Sequence, residues 1–243
     1  VKAEKKTEKP KKAPKPKAPV ELKDYGFVAV CMGKGITNIL KDLGVDRVIE
    51  GGQTMNPSTD DILKAVKRVK AKTVYVFPNN KNIIMAANQA AELVEDKKIV
   101  VIPSKSVPQC ISAMVEFNDK KSAEANEKAM NKAIGRVTSG QLTYAVRDTE
   151  IDGIEIKKDD ILGMVEGKIV TVGKDIDDVL NRVVSHMVDE DTEFLNVYYG
   201  KEIKKPQADV MLKALETKYA DDEIEVSFKK GGQPLYYYII SAE

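Results

Sequence analysis

The chain runs to 243 residues, with 42% hydrophobic side chains and 39 Lys and Arg against 38 Asp and Glu. That length gives material for one large or two small domains, and no apolar run approaches the roughly 18 residues of a membrane span. No secretory signal opens it, and Cys31 and Cys110 are too few for a disulfide framework and lack metal-ligand spacing, so the expected setting is reducing and cytoplasmic.

The near-neutral total conceals a basic start. Residues 1–19 hold eight Lys against Glu4 and Glu8, with Pro10, Pro14, Pro16 and Pro19 among them. So little apolar surface does not offset the entropy of ordering, and residues 1–22 are predicted to be a Lys- and Pro-rich linker. A nucleic-acid or anionic-membrane tail is the rival reading. Nothing downstream supplies the basic, aromatic surface that would complete a nucleic-acid site, so none is expected. A start at Val1 is expected of a fragment or a processed product.

From Phe27 strands and helices alternate. Phe27–Cys31 reads as a buried strand, and Met32-Gly33-Lys34-Gly35 as the turn into a helix through Leu43. Val45–Ile49 is a second strand, and Ile62, Leu63, Val66 and Val69 recur at helical spacing. Thr73–Phe77 is a third strand, Ile83–Val94 a helix and Lys98–Ile102 a fourth strand. Short apolar strands separated by helices predict an α/β fold, with a parallel sheet and helices on both faces over 23–135. Helices from Pro108 to Glu116 and from Asp119 to Ile134 close that half.

The texture then changes. Leu142–Arg147, Ile151–Ile156, Ile161–Glu166 and Lys168–Val172 read as short antiparallel strands joined by tight turns. A helix over Ile176–Val188, a strand over Phe194–Tyr199, a helix over Gln207–Tyr219 and strands over Glu223–Phe228 and Leu235–Ile240 follow. Together they predict a second, smaller α/β domain over 136–243.

Three loops follow three neighbouring parallel strands and are expected on one edge of the sheet, where open α/β sheets place ligands or partners. In the first, Gly51 and Gly52 allow a sharp turn or a close approach. Gln53, Thr54, Asn56 and Ser58 offer uncharged polar groups, Pro57 stiffens the exit, and Ser58 or Thr59 can cap the helix opened by Asp60 and Asp61. The second is Pro78-Asn79-Asn80-Lys81-Asn82 and the third Pro103-Ser104-Lys105-Ser106. The candidate binding residues are therefore Gly51, Gly52, Gln53, Thr54, Asn56, Ser58, Asn79, Asn80, Lys81 and Ser104. Tyr236, in the run Tyr236-Tyr237-Tyr238, joins them as an aromatic contact. The loops hold no carboxylate pair and no His, so they make a recognition surface, or an anion site at most, and a poor place for general acid–base work.

Other constellations carry little chemistry. The turn at Met32–Gly35 lies where backbone N–H groups can hold a phosphate, but its spacing matches neither phosphate-loop nor dinucleotide patterns, and a tight turn is the plainer reading. His186, the only histidine, lies mid-helix without a Cys or His at zinc spacing. Asp159-Asp160, Asp177-Asp178 and Asp221-Asp222 read as turn and helix-start charges. Gly51-Gly52-Gln53 and Gly231-Gly232-Gln233 share three letters with peptide-release factors in an unrelated context. No catalytic residue and no metal ligand is predicted.

The motif Gly51-Gly52-Gln53-Thr54-Met55-Asn56-Pro57-Ser58-Thr59 resembles the C-terminal region of the A subunit of bacterial fatty acid kinase, a dihydroxyacetone-kinase-like protein. The likeness continues through Val74–Asn80, Val100–Ser106 and Thr143–Thr149 and ends with Gly231–Tyr236 and Ile239–Glu243. The order of loops also resembles the DegV-like fatty-acid-binding proteins, to which the kinase's B subunit belongs. Thr54–Ser58 falls where those proteins carry a Thr-Ser-x-Pro-Ser type loop. Met55 here replaces the hydroxyl expected to hold the lipid carboxylate, and Ile83-Ile84 replaces a small Ser-Gly pair. A carboxylate without its donors is costly to bury.

The resemblance implies a DegV-like two-lobed scaffold that has lost lipid binding and kept a docking role. Its partner would be the fatty-acid-loaded B subunit. No cofactor is expected in this segment, ATP and Mg being expected for the full-length family, whose kinase domain would phosphorylate the acyl carboxylate. Neither nucleic-acid binding nor stable membrane insertion is expected, and homodimerisation through the full-length chain stays open. The alternative is a DegV-like fatty-acid-binding protein with an acyl chain between its lobes. An autonomous enzyme would need an acid–base or metal constellation that the sequence does not offer.

Overall fold

The computed structural model describes residues 22–52, 55–151 and 153–243. The expected linker therefore lies, apart from Leu22, outside the described residues, as do Gln53 and Thr54.

The first half alternates β1 (Lys23–Cys31), α1 (Lys34–Asp42), β2 (Arg47–Glu50), α2 (Thr59–Arg68), β3 (Ala71–Phe77), α3 (Lys81–Glu92) and β4 (Lys98–Val101), then α4 (Val107–Val115) and α5 (Ala123–Ile134). The strands form a parallel sheet in the order β2-β1-β3-β4. Its central strands are buried on both faces, which is why they read as unbroken apolar runs. Side chains alternate between two cores. Phe27, Ala29, Tyr75 and Phe77 pack with Ile36, Leu40, Cys110 and Met130 of α1, α4 and α5. Val28, Val30, Val74 and Val76 pack with Ile62, Val66, Ile83 and Ala87 of α2 and α3.

The second half contains β5 (Thr138–Tyr144), β6 (Thr149–Ile151), β7 (Ile154–Ile156), β8 (Ile161–Val165), β9 (Lys168–Gly173), α6 (Ile176–Met187), β10 (Phe194–Tyr199), α7 (Lys205–Lys218), β11 (Glu225–Lys230) and β12 (Tyr238–Ala242). Six of these strands make a mixed sheet in the order β11-β10-β12-β5-β8-β9, with β10 and β11 parallel and the other neighbours antiparallel. Helices α6 and α7 cover one face through Val179, Leu180, Val183, Met211 and Leu215. On the other face Tyr198 and Ile239 join the core that contains α1 and α4, so these two helices lie between the sheets and weld the halves together.

Element ends shift by a few residues, β1 beginning at Lys23 and not Phe27 and α5 at Ala123 and not Asp119, and three further details differ from the expectations. Strand β5 begins at Thr138, four residues before Leu142, because Gly140 passes under Met187: a Cβ there would sit 2.3 Å from its sulfur. Residues 151–156 are not one strand but the tip of a hairpin, β6 paired to β7, with Gly153 at φ 78° in the turn. The last strand starts at Tyr238 instead of Leu235, since residues 231–237 leave the sheet to meet the first half.

Candidate functional site

Four loops leave the carboxyl ends of β1 to β4 and open on one edge, facing the loop between β11 and β12. The first is the Met32–Gly35 turn. Its helix-start amides are already taken: Gly35 N and Ile36 N both donate to Gly231 O, at 2.9 and 3.1 Å. A Cβ on Gly35 would lie 1.8 Å from Lys230 O, and one on Gly33, at φ 98°, would lie 2.6 Å from Gln233 N. These glycines are where one half of the molecule seats its backbone against the other. The phosphate reading of this turn is thereby overturned, because the N–H groups it needs hold a carbonyl of the same chain.

Gln233 locks the opposite side of that seam. It is 2% exposed, its Nε2 donates to Tyr198 O at 2.7 Å, and its backbone carbonyl accepts from Lys201 N at 3.1 Å. Gly231 N and Gly232 N both donate to Tyr199 O at 3.0 Å. The second Gly-Gly-Gln triplet is thus a structural clasp.

The β2–α2 loop turns on Gly51 and Gly52, whose amides donate to Cys31 O and Met55 O at 3.2 and 3.1 Å. Pro57 is buried against Gly51. Ser58 completes a reciprocal cap: Asp61 N donates to its Oγ at 3.2 Å, while Ser58 N donates to Asp61 Oδ2 at 3.0 Å. The Ser58 side-chain bond, then its backbone bond, holds the Asp61 carboxyl below its ordinary range. Asn56 and Met55 are exposed.

In the β3–α3 loop Asn79 adopts φ 55°, a conformation Asn tolerates better than most residues. Its Nδ2 donates to Val30 O at 2.9 Å, its Oδ1 accepts from Ser104 Oγ at 2.7 Å, and its N–H donates back to that hydroxyl at 3.2 Å. Asn79 and fully buried Ser104 therefore brace the ends of β1, β3 and β4 against one another. Asn80, also buried, caps α3 by accepting from Asn82 N, and Lys81 is exposed. The β4–α4 loop ends at Ser106, which caps α4 and shares a 2.7 Å hydrogen bond with Ser139 Oγ of β5.

These loops enclose a pocket of about 60 Å³. Gly51, Gly52, Asn79, Asn80 and Tyr236 line it together with Ser106, Gln141, Gln233, Ile36 and Ile239, and among the described residues the lining contains no ionisable carboxylate, Lys, Arg or His. Burial pushes the Tyr236 hydroxyl up to about 12 and raises the Cys31 thiol, against a weaker opposing contact from Thr37 Oγ1. Neither group is ready to exchange protons near neutrality. Asn56, Ser58 and Lys81 stand outside the pocket, and Ser104 lies behind Asn79. Gln141 and Ser139 carry no signal in the sequence, being polar residues on an otherwise ordinary strand. Among the described residues no group of three or more His, Cys, Asp or Glu is placed to hold a metal ion, and no helix is long and apolar enough to cross a membrane. His186 is exposed on α6.

Two lobes clasped over helices, with loops converging on a small junction pocket, define a DegV-like fold. DegV, a fatty acid binding protein from Bacillus subtilis, superimposes with a TM-score of 0.62 at 13% identity, covering 90% of this chain and 99% of that one. The Streptococcus pneumoniae fatty acid kinase (Fak) B3 protein loaded with linoleic acid does so with a TM-score of 0.59 at 10% identity over 90% and 99%. The dihydroxyacetone kinase of C. freundii gives 0.58 at 11% over 90% of this chain and 48% of the kinase.

The chain belongs to the FakA-like C-terminal family, the C-terminal regions of fatty acid kinase A subunits or their like, whose pattern matches residues 26–243. It is 49% identical over 225 residues to protein YloV of Bacillus subtilis (strain 168), covering 93% of this chain and 40% of that protein. An uncharacterized protein of Staphylococcus aureus (strain USA300) is 44% identical over 229 residues, 94% of this chain and 41% of its own. The chain thus spans about 40% of the length of the curated relatives it matches.

Proposed function

We propose that this segment is a non-catalytic docking region of a bacterial fatty acid kinase. It would hold a fatty-acid-loaded B subunit so that a kinase domain elsewhere on the full chain, using ATP and Mg, phosphorylates the acyl carboxylate. Family membership and the fold shared with a lipid-loaded Fak B3 protein support the setting. The observation that carries the reading is the state of the junction. Several groups that could hold a carboxylate are engaged within the chain: the Gly35 and Ile36 amides of α1 by Gly231, and Asn79 and Ser104 by each other and by Val30. The pocket among the described residues, about 60 Å³, is of the size that holds a few waters.

The rim, in contrast, is dressed for contact. Met55 and Met85 are 63% and 69% exposed, with Lys81 and Lys105 exposed beside the loops. Thr59 at the start of α2 donates to Gln89 of α3 at 3.1 Å, one turn from Met85 on the same helix face, while Met55 lies beside β2 and α2 with Arg47, Lys64 and Arg68. Flexible thioethers suit a protein surface that packs against a partner. Tethered to a kinase domain, such a module would raise the partner's local concentration to roughly the millimolar range.

The test is calorimetric titration of this chain with purified, lipid-loaded B subunit. Saturable binding is expected, weakened by a Met55→Glu, Met85→Glu double variant. Absence of binding up to tens of micromolar, about −6 kcal/mol, would sink the docking reading.

A further inference from the structure

A second hollow, of about 110 Å³, adjoins the junction pocket, with Asn80, Ser106 and Gln141 bordering both. It lies on the seam between the lobes. The first turns of α3 and α4 reach it through Lys81 and Gln109, β5 through Gln141, and the turn between β8 and β9 through Glu166. Among the described residues no backbone carbonyl from elsewhere in the chain meets the starts of α3 and α4, as Gly231 O meets that of α1. Both helices thus bring an unfilled positive end to one place.

Gln109 is the group that asks for a ligand. It is 7% exposed, and its Oε1 accepts from Lys105 N at 2.7 Å. An N–H donor identifies that atom as the oxygen, so the other limb of the amide is Nε2, which has no partner among the described residues. Nor is it sealed in: the enclosed side-chain atoms left without a partner are Asp160 Oδ1, Thr171 Oγ1, Gln233 Oε1 and Tyr238 OH. Nε2 therefore reaches open space, and this hollow is the space that Gln109 lines. Asn80, 3% exposed, repeats the pattern, its Oδ1 accepting from Asn82 N at 2.9 Å and its Nδ2 without a partner. Lys81 and Lys105 line the hollow too, and among the described residues neither has a carboxylate within ion-pair distance. The one acid in this lining is Glu166, whose Oε1 accepts from Ser139 N at 2.6 Å while Oε2 has no partner among the described residues.

We propose that this hollow binds inorganic phosphate, held as hydrogen phosphate across the seam between the lobes. The space accommodates several waters, and so a tetrahedral oxyanion. Gln109 Nε2 and Asn80 Nδ2 donate to its oxygens, and Lys81 and Lys105 balance its charge. Glu166 Oε2 accepts a hydrogen bond from the proton that the anion retains. The carboxylate is the selecting element, because it repels an oxyanion with no proton to offer. Sulfate is such an anion, and so is a phosphomonoester at mildly alkaline pH. The inference does not depend on the docking reading, since neither the ligand nor its test involves the B subunit.

The experiment titrates the 243-residue chain with sodium phosphate at mildly alkaline pH, and with sodium sulfate and phenyl phosphate at matched ionic strength. Calorimetry reads the affinity and NMR the side-chain amide signal of Gln109. Expected are a phosphate Kd below about 1 mM, sulfate and phenyl phosphate weaker by about tenfold or more, and a shift of the Gln109 signal on binding. A Lys81→Ala, Lys105→Ala double variant should lose about tenfold in phosphate affinity. Glu166→Gln keeps an acceptor for Ser139 N, puts a donor in place of the second oxygen, and should bring sulfate level with phosphate. A phosphate Kd above about 1 mM, equal binding of sulfate by the parent chain, or an unmoved Gln109 signal would overturn the proposal. So would a double variant that binds as tightly as the parent, or a Glu166→Gln chain that still prefers phosphate.

Discussion

The hydroxyls of Ser106 and Ser139 meet at 2.7 Å in the buried seam, one at the start of α4 and the other on β5. Ser106 also caps α4, so one hydroxyl ties a helix start to the opposite lobe. Ser139→Ala removes the cross-lobe bond and keeps the cap. It is expected to cost about 1 kcal/mol, and Ser106→Ala about 1 kcal/mol more, both read from urea midpoints. Equal effects would mean that the lobe-to-lobe bond dominates.

Gly35→Ala should be severely destabilising. Helix propensity favours Ala by about 1 kcal/mol, but the added carbon would meet Lys230 O at 1.8 Å, and that atom belongs to a backbone fixed by the clasp. Gly44→Ala is the control: φ is 101° and nothing lies within 4 Å, so only about 1–2 kcal/mol of conformational strain is expected. Thermal unfolding of both variants settles it; a Gly35→Ala protein as stable as Gly44→Ala would show that the lobes slide past one another freely.

Asn79→Ala removes two side-chain bonds and places Ala at φ 55°. Asn79→Gly removes the same bonds and tolerates the backbone. Ala should therefore be the worse by about 1 kcal/mol, both falling about 2 kcal/mol or more below the parent because Val30 O and Ser104 lose partners. Urea denaturation measures the ordering.

Ser58→Ala should cost about 1 kcal/mol at neutral pH through loss of the cap. The Asp61 carboxyl is held low in the folded chain, so its share is present above the unfolded-state value and disappears as pH falls through the folded one. The stability gap between parent and variant should accordingly shrink as pH drops through the carboxylate range. A gap independent of pH from neutral to strongly acid conditions would remove Asp61 from the account.

Cys31 and Cys110 are buried, and burial raises both thiols. A thiol reagent at mildly alkaline pH should find neither in the folded chain and both in urea. Native mass spectrometry of the same preparation should show the mass of the chain without a lipid; a co-purified fatty acid would restore the lipid-binding alternative.

Local patterns made much of this architecture readable in advance. The four parallel strands announce themselves as apolar runs, and Ser58 as a helix cap, because those signals are contained within a few residues; Asn80, expected to bind, caps α3. The three expected loops do converge, and Gly51, Gly52, Asn79, Asn80 and Tyr236 share one pocket. The clasp was not readable. Gly33 and Gly35 declare that something approaches closely, but not that it is Gly231 and Gln233, some two hundred positions onward. Asn79 and Ser104 looked available to a ligand for the same reason: the atoms that occupy them come from neighbouring strands.

The carbonyl of Gly231 sits where helix starts elsewhere seat an anion. With that berth filled from within, swings in the phosphate or nucleotide content of the surroundings have nothing to hold at this end of α1. Closure at this end of α1 is thus written into the chain's own backbone, through the carbonyl of one distant glycine.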